Sequence, residues 1–111
     1  MENNFKIRAV IYARVSTKEQ AEGKISIPDQ INVCKKAIVD RGWDLVHEVY
    51  ADEGISGHLL EERFGLQNLL SDARRHNFDL VVVKDFDRFA RNRAAATIVR
   101  EELKELFIQT Y

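Results

Sequence analysis

The strongest constraint on the fold comes from residues 5–13, which are rich in aliphatic side chains and have no polar interruption after Arg8. A strand with one solvent-facing side alternates apolar and polar residues, whereas an unbroken apolar run indicates a strand covered on both faces. A second strongly apolar run occupies residues 78–84. We therefore expect a central sheet with helices packed against both of its faces.

Helical segments alternate with these strands. Ser26, followed by Pro28 and Asp29, is typical of a helix start, and Gly42 is expected to end that helix after about Arg41. A second helix is indicated by apolar residues that share one face: Leu66, Leu69, Leu70 and Ala73. A third helix is predicted from Asn92 onward, with a buried stripe of Ala95, Ile98, Val99, Leu103, Leu106 and Phe107 and a wet side of Arg100, Glu101, Lys104 and Glu105.

The remaining segments complete the predicted topology. Residues 43–51 mix charged and β-forming side chains, which is typical of a strand nearer the sheet edge, and residues 52–65 contain three glycines and predict a loop. A further strand is expected to begin at residues 108–111. This order of strands and helices predicts one α/β domain, a three-layer α/β/α arrangement with a mainly parallel central sheet.

Composition and charge limit the function. The chain has 111 residues, enough for one domain, and its 17 Lys plus Arg against 18 Asp plus Glu argue against strong nonspecific binding of nucleic acid by this chain alone. No apolar run approaches the roughly 20 residues that span a bilayer, and no secretion signal is evident, so we expect a cytoplasmic protein. Cys34 lies at helical spacing from Ile31 and Ile38 and is predicted to be a small core residue.

Arg14 and Ser16 form the first candidate site segment, at the end of the first strand. Residues two apart on an extended backbone point to the same side, so a guanidinium and a hydroxyl would face one small volume. The alternative is that Ser16 and Thr17 only cap a turn.

The second candidate segment follows the strand at residues 78–84. If a helix starts there, Arg88 and Arg91 share a face and Asp87 is a neighbour of Arg91. Cations at a helix N-terminus are unfavourable unless an anion binds between them. The alternative is a solvated charged face with local ion pairs.

A phosphate is the ligand that would bring these two segments together. A serine hydroxyl is a weak nucleophile, and arginine can stabilise the negative charge of a phosphoryl transition state with two hydrogen bonds from one planar group. The histidines show no paired metal-ligand spacing, and no acidic cluster is typical of a two-metal nuclease, so we expect neither metal nor cofactor. Beyond the ends of the strands, residues 14–20, 52–57 and 85–91 would line the site.

Three ordered strings carry a specific resemblance: Y-A-R-V-S-T-K-E-Q at residues 12–20, A-D-E-G-I-S-G at 51–57 and K-D-F-D-R-F-A-R-N at 84–92. With this order and spacing, the sequence resembles the serine recombinase family of resolvases, DNA invertases and large serine integrases and transposases. The resemblance implies a resolvase-like catalytic domain that cleaves and rejoins DNA. It is closer to the large subgroup than to the small resolvases.

The resemblance also implies roles for individual residues. Ser16 would form a 5′-phosphoserine link to DNA, with Asp87 as an orienting group or proton donor beside the site. The arginines that match the family's phosphate-binding positions are Arg14, Arg63, Arg88 and Arg91, and the supporting residues are Tyr12, Gln20, Gln30 and Asp52. Phe64 departs from the pattern, because large serine recombinases often have proline there, and this weakens the match at Arg63.

The implied partners are a double-stranded DNA recombination site and further copies of the protein, as a homodimer on DNA and a tetramer in the synaptic complex. Residues 1–111 would be the N-terminal catalytic domain, ending before the family's long dimerisation helix and DNA-binding region. The competing hypothesis is a non-catalytic α/β binding or regulatory domain of the same fold. A serine hydrolase is disfavoured because no G-x-S-x-G surrounds Ser16, and a protein kinase because no glycine-rich loop precedes Asp87.

Overall fold

The computed structural model describes residues 7–15, 26–46, 49–53, 64–84, 93–105 and 109–110. Strands and helices alternate along these ranges for most of the chain. The elements are β1 (Arg8–Val15), α1 (Ile27–Asp40), β2 (Asp44–Leu45), β3 (Tyr50–Glu53), α2 (Phe64–Arg74), β4 (Leu80–Val82), α3 (Arg93–Glu105) and β5 (Gln109–Thr110).

The sheet is built around β1. Strands β2, β3 and β4 each pair with β1, and β5 pairs with β4, every pairing being parallel. β2 pairs with the start of β1 at Arg8, whereas β3 pairs with its end, where Arg14 is opposite Asp52. The parallel sheet confirms the predicted fold class, and β5 confirms the strand expected near the end of the sequence.

Alternate residues of β1 enter two separate apolar cores, one on each face of the sheet. Ala9 and Ile11 pack with Cys34 and Ile38 of α1. Val10 and Tyr12 belong to the opposite core, which takes its remaining residues from β3, α2, β4, α3 and the residues on either side of β4: Tyr50, Leu66, Leu69, Leu70, Ala73, Phe78, Val81, Val83 and Leu103. Both faces of β1 are therefore covered, as the unbroken apolar run predicts, and the domain has three layers.

Helix α1 has the ends that its sequence predicts. The Ser26 hydroxyl accepts a hydrogen bond from the backbone N–H of Asp29, and the Asp29 carboxylate accepts one from the backbone N–H of Ser26. The helix ends before Gly42, whose backbone has a φ of 71°, a value that residues other than glycine rarely adopt. Cys34 is buried with a free thiol, which confirms its prediction as a core residue.

Two predictions for the middle of the chain are wrong in their bounds. The strand expected over residues 43–51 is two short strands, β2 and β3. The loop expected over residues 52–65 is wrong at both ends, because Asp52 and Glu53 belong to β3 and Phe64 and Gly65 begin α2. Polar side chains at the end of β3 hid its true length, although Asp52 pairs in register with Arg14.

The predicted stripe of α3 is correct at Leu103, which is fully buried, and wrong at Ile98, which is 63% exposed. Five residues separate the two positions, so they lie about 140° apart around a helix and cannot both face the core squarely. The predicted wet residues Arg100, Glu101, Lys104 and Glu105 are all exposed. Leu106, Phe107 and the side chains of Ala95 and Val99 lie outside what the structure describes.

Length and polarity exclude the described helices as bilayer-spanning segments.

Candidate functional site

The polar side chains of the candidate site gather at the carboxyl end of the sheet. Tyr12 and Arg14 come from β1, Asp52 comes from β3, and Gln30 comes from the first turn of α1. All four are buried, and within the described residues no buried side-chain nitrogen or oxygen lacks a hydrogen-bond partner. Four residues that the sequence predicts for the site are therefore brought together by the fold.

Gln30 holds the backbone of Arg14 through both atoms of its amide. Its Oε1 accepts from the Arg14 N–H at 3.2 Å, and its Nε2 donates to the Arg14 carbonyl oxygen at 2.9 Å. The pairing of β4 with β1 ends at Ile11, so β4 does not reach these two backbone groups. The Gln30 side chain therefore takes the place of a neighbouring strand on the β4 side of β1, beyond the point where the pairing with β4 ends.

Arg14 is only 1% exposed, although its guanidinium is always charged. Val10 and Tyr12 face the core under α2 and α3, and the alternation of side chains along a strand places Arg14 on that same face. Burial of a guanidinium is costly without acceptors around it. A permanently charged residue is thus buried near the carboxyl end of β1, two positions before Ser16 in the sequence.

Asp52 links β1, β3 and α2. Its Oδ2 accepts from the Tyr12 hydroxyl at 2.6 Å and from the Leu66 N–H at 3.0 Å, and its Oδ1 accepts from the Gly65 N–H at 2.8 Å. The N–H groups at a helix start have no partners within the helix, and a negative charge there is favourable. Asp52 therefore caps α2 from a neighbouring strand.

Gly65 permits this cap because α2 passes very close to β3. A Cβ atom at residue 65 would lie 2.4 Å from the carbonyl oxygen of Ala51 and 2.8 Å from its carbonyl carbon, closer than Cβ atoms approach other groups. No residue with a side chain fits without moving the helix or the strand. The first turn of α2 is thus fixed against β3 by a close backbone approach as well as by Asp52.

A further contact joins β3 and α2 away from the cap. The Tyr50 hydroxyl donates to the Asp72 carboxylate at 2.6 Å. Burial and this hydrogen bond raise the pKa of Tyr50 well above its ordinary value, so the hydroxyl keeps its proton throughout the neutral range.

The other predicted site residues, Ser16, Gln20, Arg63, Asp87, Arg88 and Arg91, lie outside the described residues, and their convergence stays a prediction. Sequence reasoning missed Gly65, because it assigned residue 65 to a loop. One signal was available. Arg63 comes just before the leucine-rich helical segment and carries no acceptor to cap it, which leaves the first N–H groups of the helix to water or to another part of the chain.

These features define a parallel α/β domain whose carboxyl sheet edge holds a buried arginine, an amide and a carboxylate in fixed positions. Such edges are where α/β folds bind their ligands. Residues 9–109 match the sequence model of the family described as the resolvase N-terminal domain.

Proteins of known sequence and structure agree with this match. The chain is 41% identical over 95 residues to a Bacillus subtilis (strain 168) protein provisionally assigned as a DNA recombinase, covering 86% of this chain and 18% of that protein. The N-terminal catalytic domain of TP901-1 integrase is 33% identical with a TM-score of 0.78, over 93% of this chain and 74% of the other. The C-terminal catalytic domain of ISC1926 TnpA, an IS607-like serine recombinase, is 30% identical with a TM-score of 0.78, over 95% and 66%.

The chain therefore belongs to the resolvase N-terminal domain family, the catalytic-domain family of the serine recombinases. It spans less than a fifth of the length of its Bacillus subtilis relative.

Proposed function

We propose that this chain is the catalytic domain of a site-specific DNA recombinase and that Ser16 is its nucleophile. The Ser16 Oγ attacks the scissile phosphorus, an Oγ–P bond forms, and the bond from phosphorus to the 3′ oxygen breaks. The serine proton is lost and the leaving oxygen gains one as it becomes a 3′-hydroxyl. One phosphate ester replaces another, so strand exchange and rejoining need no high-energy cofactor and, in this proposal, no metal.

The buried Arg14 carries the proposal. In a member of this family, a guanidinium fixed at the carboxyl end of the central strand lies two positions before the candidate nucleophile. A preorganised positive charge stabilises the charge that develops on the phosphate in the transition state. Its Gln30 clamp limits movement of the strand that carries it.

The remaining roles come from the family resemblance. Arg63, Arg88 and Arg91 would complete the phosphate site, Asp87 would orient them or give a proton to the leaving oxygen, and Gln20 would support them. The substrate would be a double-stranded recombination site, bound by a dimer and joined to a second site in a tetramer. We expect residues 1–111 to act within a longer cytoplasmic protein that supplies the dimerisation helix and most DNA contacts.

A covalent-trapping experiment tests the assignment of Ser16. Full-length protein is incubated with its recombination-site DNA and chelator, then denatured, and the DNA-linked peptide is mapped by mass spectrometry. The adduct should lie on Ser16, and Ser16→Ala should abolish it. Ser71→Ala, which removes a hydroxyl from α2, should form the adduct at the normal rate.

An adduct on another residue, or normal cleavage by Ser16→Ala, would show that Ser16 is not the nucleophile. Binding of the DNA site by a full-length protein that never cleaves it would instead favour the non-catalytic binding or regulatory domain.

A further inference from the structure

We propose that Gly65 and Asp52 are positioning residues that set where Arg63 enters the phosphate site, an inference that rests on the proposed recombinase function. Neither residue would contact the DNA. They would act through the first turn of α2, which fixes the point where the chain leaves the helix toward Arg63.

The link between Arg63 and α2 is covalent. Arg63 is bonded directly to Phe64, the first residue of α2, and lies two residues before Gly65. Consecutive Cα atoms are about 3.8 Å apart, so a shift of the helix start moves the point from which the chain reaches Arg63. The placement of α2 therefore limits the positions that Arg63 can take.

Helix α2 is held against β1 and β3, the two paired strands that carry Arg14 and Asp52. Asp52 is paired with Arg14 in the sheet and accepts hydrogen bonds from the N–H groups of Gly65 and Leu66. The close approach of Gly65 to Ala51 leaves no space for the helix start to move toward β3. The positions of Arg14 and of Phe64, the residue that follows Arg63, are thus both fixed relative to β1 and β3.

The hydrogen bonds that Asp52 accepts indicate a positioning role for this residue. Both carboxylate oxygens already accept hydrogen bonds, from the Tyr12 hydroxyl and the two helix N–H groups. A carboxylate engaged in this way is directed at α2 and β1, and taking the Ser16 proton would remove the charge that strengthens its hydrogen bonds to the helix start. Asp52 is therefore assigned to the placement of α2, and the proton goes elsewhere.

A double-mutant cycle in the full-length protein tests the link between Gly65 and Arg63. Gly65→Ala forces the start of α2 away from Ala51, and a misplacement near 1 Å is expected to slow cleavage about 10- to 100-fold. Because this loss acts through Arg63, Gly65→Ala should add little to the loss already caused by Arg63→Ala. Unrelated structural damage would instead multiply the two effects.

Gly42→Ala is the matched control for lost stability. Gly42 has a φ of +71°, but no atom lies within 4 Å of an added Cβ, so alanine strains the backbone at the end of α1 without moving α2. Cleavage is compared per folded molecule, with melting and DNA binding measured alongside. Gly42→Ala should melt earlier yet cleave normally.

Asp52 provides a second test that does not depend on Gly65→Ala folding. Asp52→Asn keeps one acceptor oxygen for the helix start but cannot accept a proton as a base. Asp52→Ala has no side-chain oxygen and can do neither. A positioning role predicts that Asp52→Asn cleaves at least 10-fold faster than Asp52→Ala. Equal loss in both variants would overturn this role for Asp52.

The outcomes separate the inference from the proposed function. If Ser16→Ala and Arg63→Ala abolish or slow cleavage but the Gly65 effect is fully multiplicative with that of Arg63, the positioning role is wrong and the recombinase proposal stands. If Arg63→Ala cleaves normally, the role of Arg63 in the phosphate site and the inference built on it both fail.

Discussion

Arg14 shows how a neutral side chain can hold the backbone of a buried charged residue. The Gln30 amide supplies one acceptor to the Arg14 N–H and one donor to the Arg14 carbonyl oxygen, the two backbone groups through which a neighbouring strand would pair. An amide does this without adding a charge beside a buried guanidinium. Glutamate at position 30 could accept from the Arg14 N–H but would have no proton for the carbonyl oxygen unless it were itself protonated.

We expect Gln30→Ala to destabilise the folded domain by about 1–3 kcal/mol, because two buried backbone groups of Arg14 lose their partners. Cleavage by the full-length protein should fall as well, since the strand before Ser16 is less constrained. Urea denaturation and the trapping assay measure the two effects. Asn32→Ala, on the exposed side of the same helix, is the control; it should leave cleavage unchanged and should not destabilise the domain, because alanine is a better helix former than asparagine. An unchanged urea midpoint in Gln30→Ala would contradict the clamp.

The strands and helices are secured differently at the two ends of the sheet. At the amino end, Arg8 donates from its backbone N–H, Nε and Nη2 to the carboxylate of Asp79, and the Asp79 N–H donates to the Arg8 carbonyl oxygen. This joins β1 to the turn before β4 with groups that are about half exposed. At the carboxyl end, the corresponding links through Gln30 and Asp52 are buried.

The Asp79 contact predicts a small acid-sensitive contribution to stability. Hydrogen bonds from Arg8 lower the pKa of Asp79, so the contribution is present above the unfolded-state value near 3.9 and is lost as the pH falls through the lower folded-state value. Asp79→Asn should lower the free energy of unfolding by up to about 1 kcal/mol at pH 7, with a smaller difference from wild type at pH 3. Urea titrations at the two pH values measure this.

Asp44→Asn provides the comparison, because Asp44 is exposed at the same end of the sheet. At pH 7 it should lower the free energy of unfolding less than Asp79→Asn does, because the Arg8 guanidinium bonds the carboxylate of Asp79. A difference for Asp79→Asn that grew on acidification would refute the assignment.

At the level of the whole molecule, the near balance of 17 basic and 18 acidic residues limits what this chain can do alone. Affinity for DNA comes largely from the release of counterions by many basic contacts. A catalytic domain can place a few arginines around one phosphate while other parts of a longer protein supply most of the affinity. The match to only 18% of the Bacillus subtilis relative is compatible with that division.

We therefore expect residues 1–111 to bind a duplex containing the recombination site no more tightly than about 10⁻⁶ M at physiological salt, within the range of nonspecific binding. Fluorescence anisotropy at salt concentrations from about 50 to about 200 mM measures the affinity and its salt dependence. The full-length protein on the same duplex should bind far more tightly. Nanomolar binding by residues 1–111 would contradict the proposed division of roles.

Local patterns were sufficient to predict the fold class and most of its elements. Three of these patterns depend only on residues close together in the sequence: the apolar run of β1, the capping box of α1 and the leucine face of α2. Sequence analysis can find them because periodicity and capping depend on neighbours along the chain. The motif strings also identified the candidate residues, including Arg14 and Asp52. None of these patterns states which elements lie side by side.

The contacts that organise the site needed the folded chain. Gln30 reaches Arg14 across 16 positions, Asp52 reaches the N–H groups of α2 across a predicted loop, and Gly65 is required by the backbone of Ala51. Each of these contacts joins two elements whose separation and orientation follow from packing against the sheet. No periodicity or cap in one segment encodes such a contact, so the sequence identified the residues while tertiary packing determined how they are held.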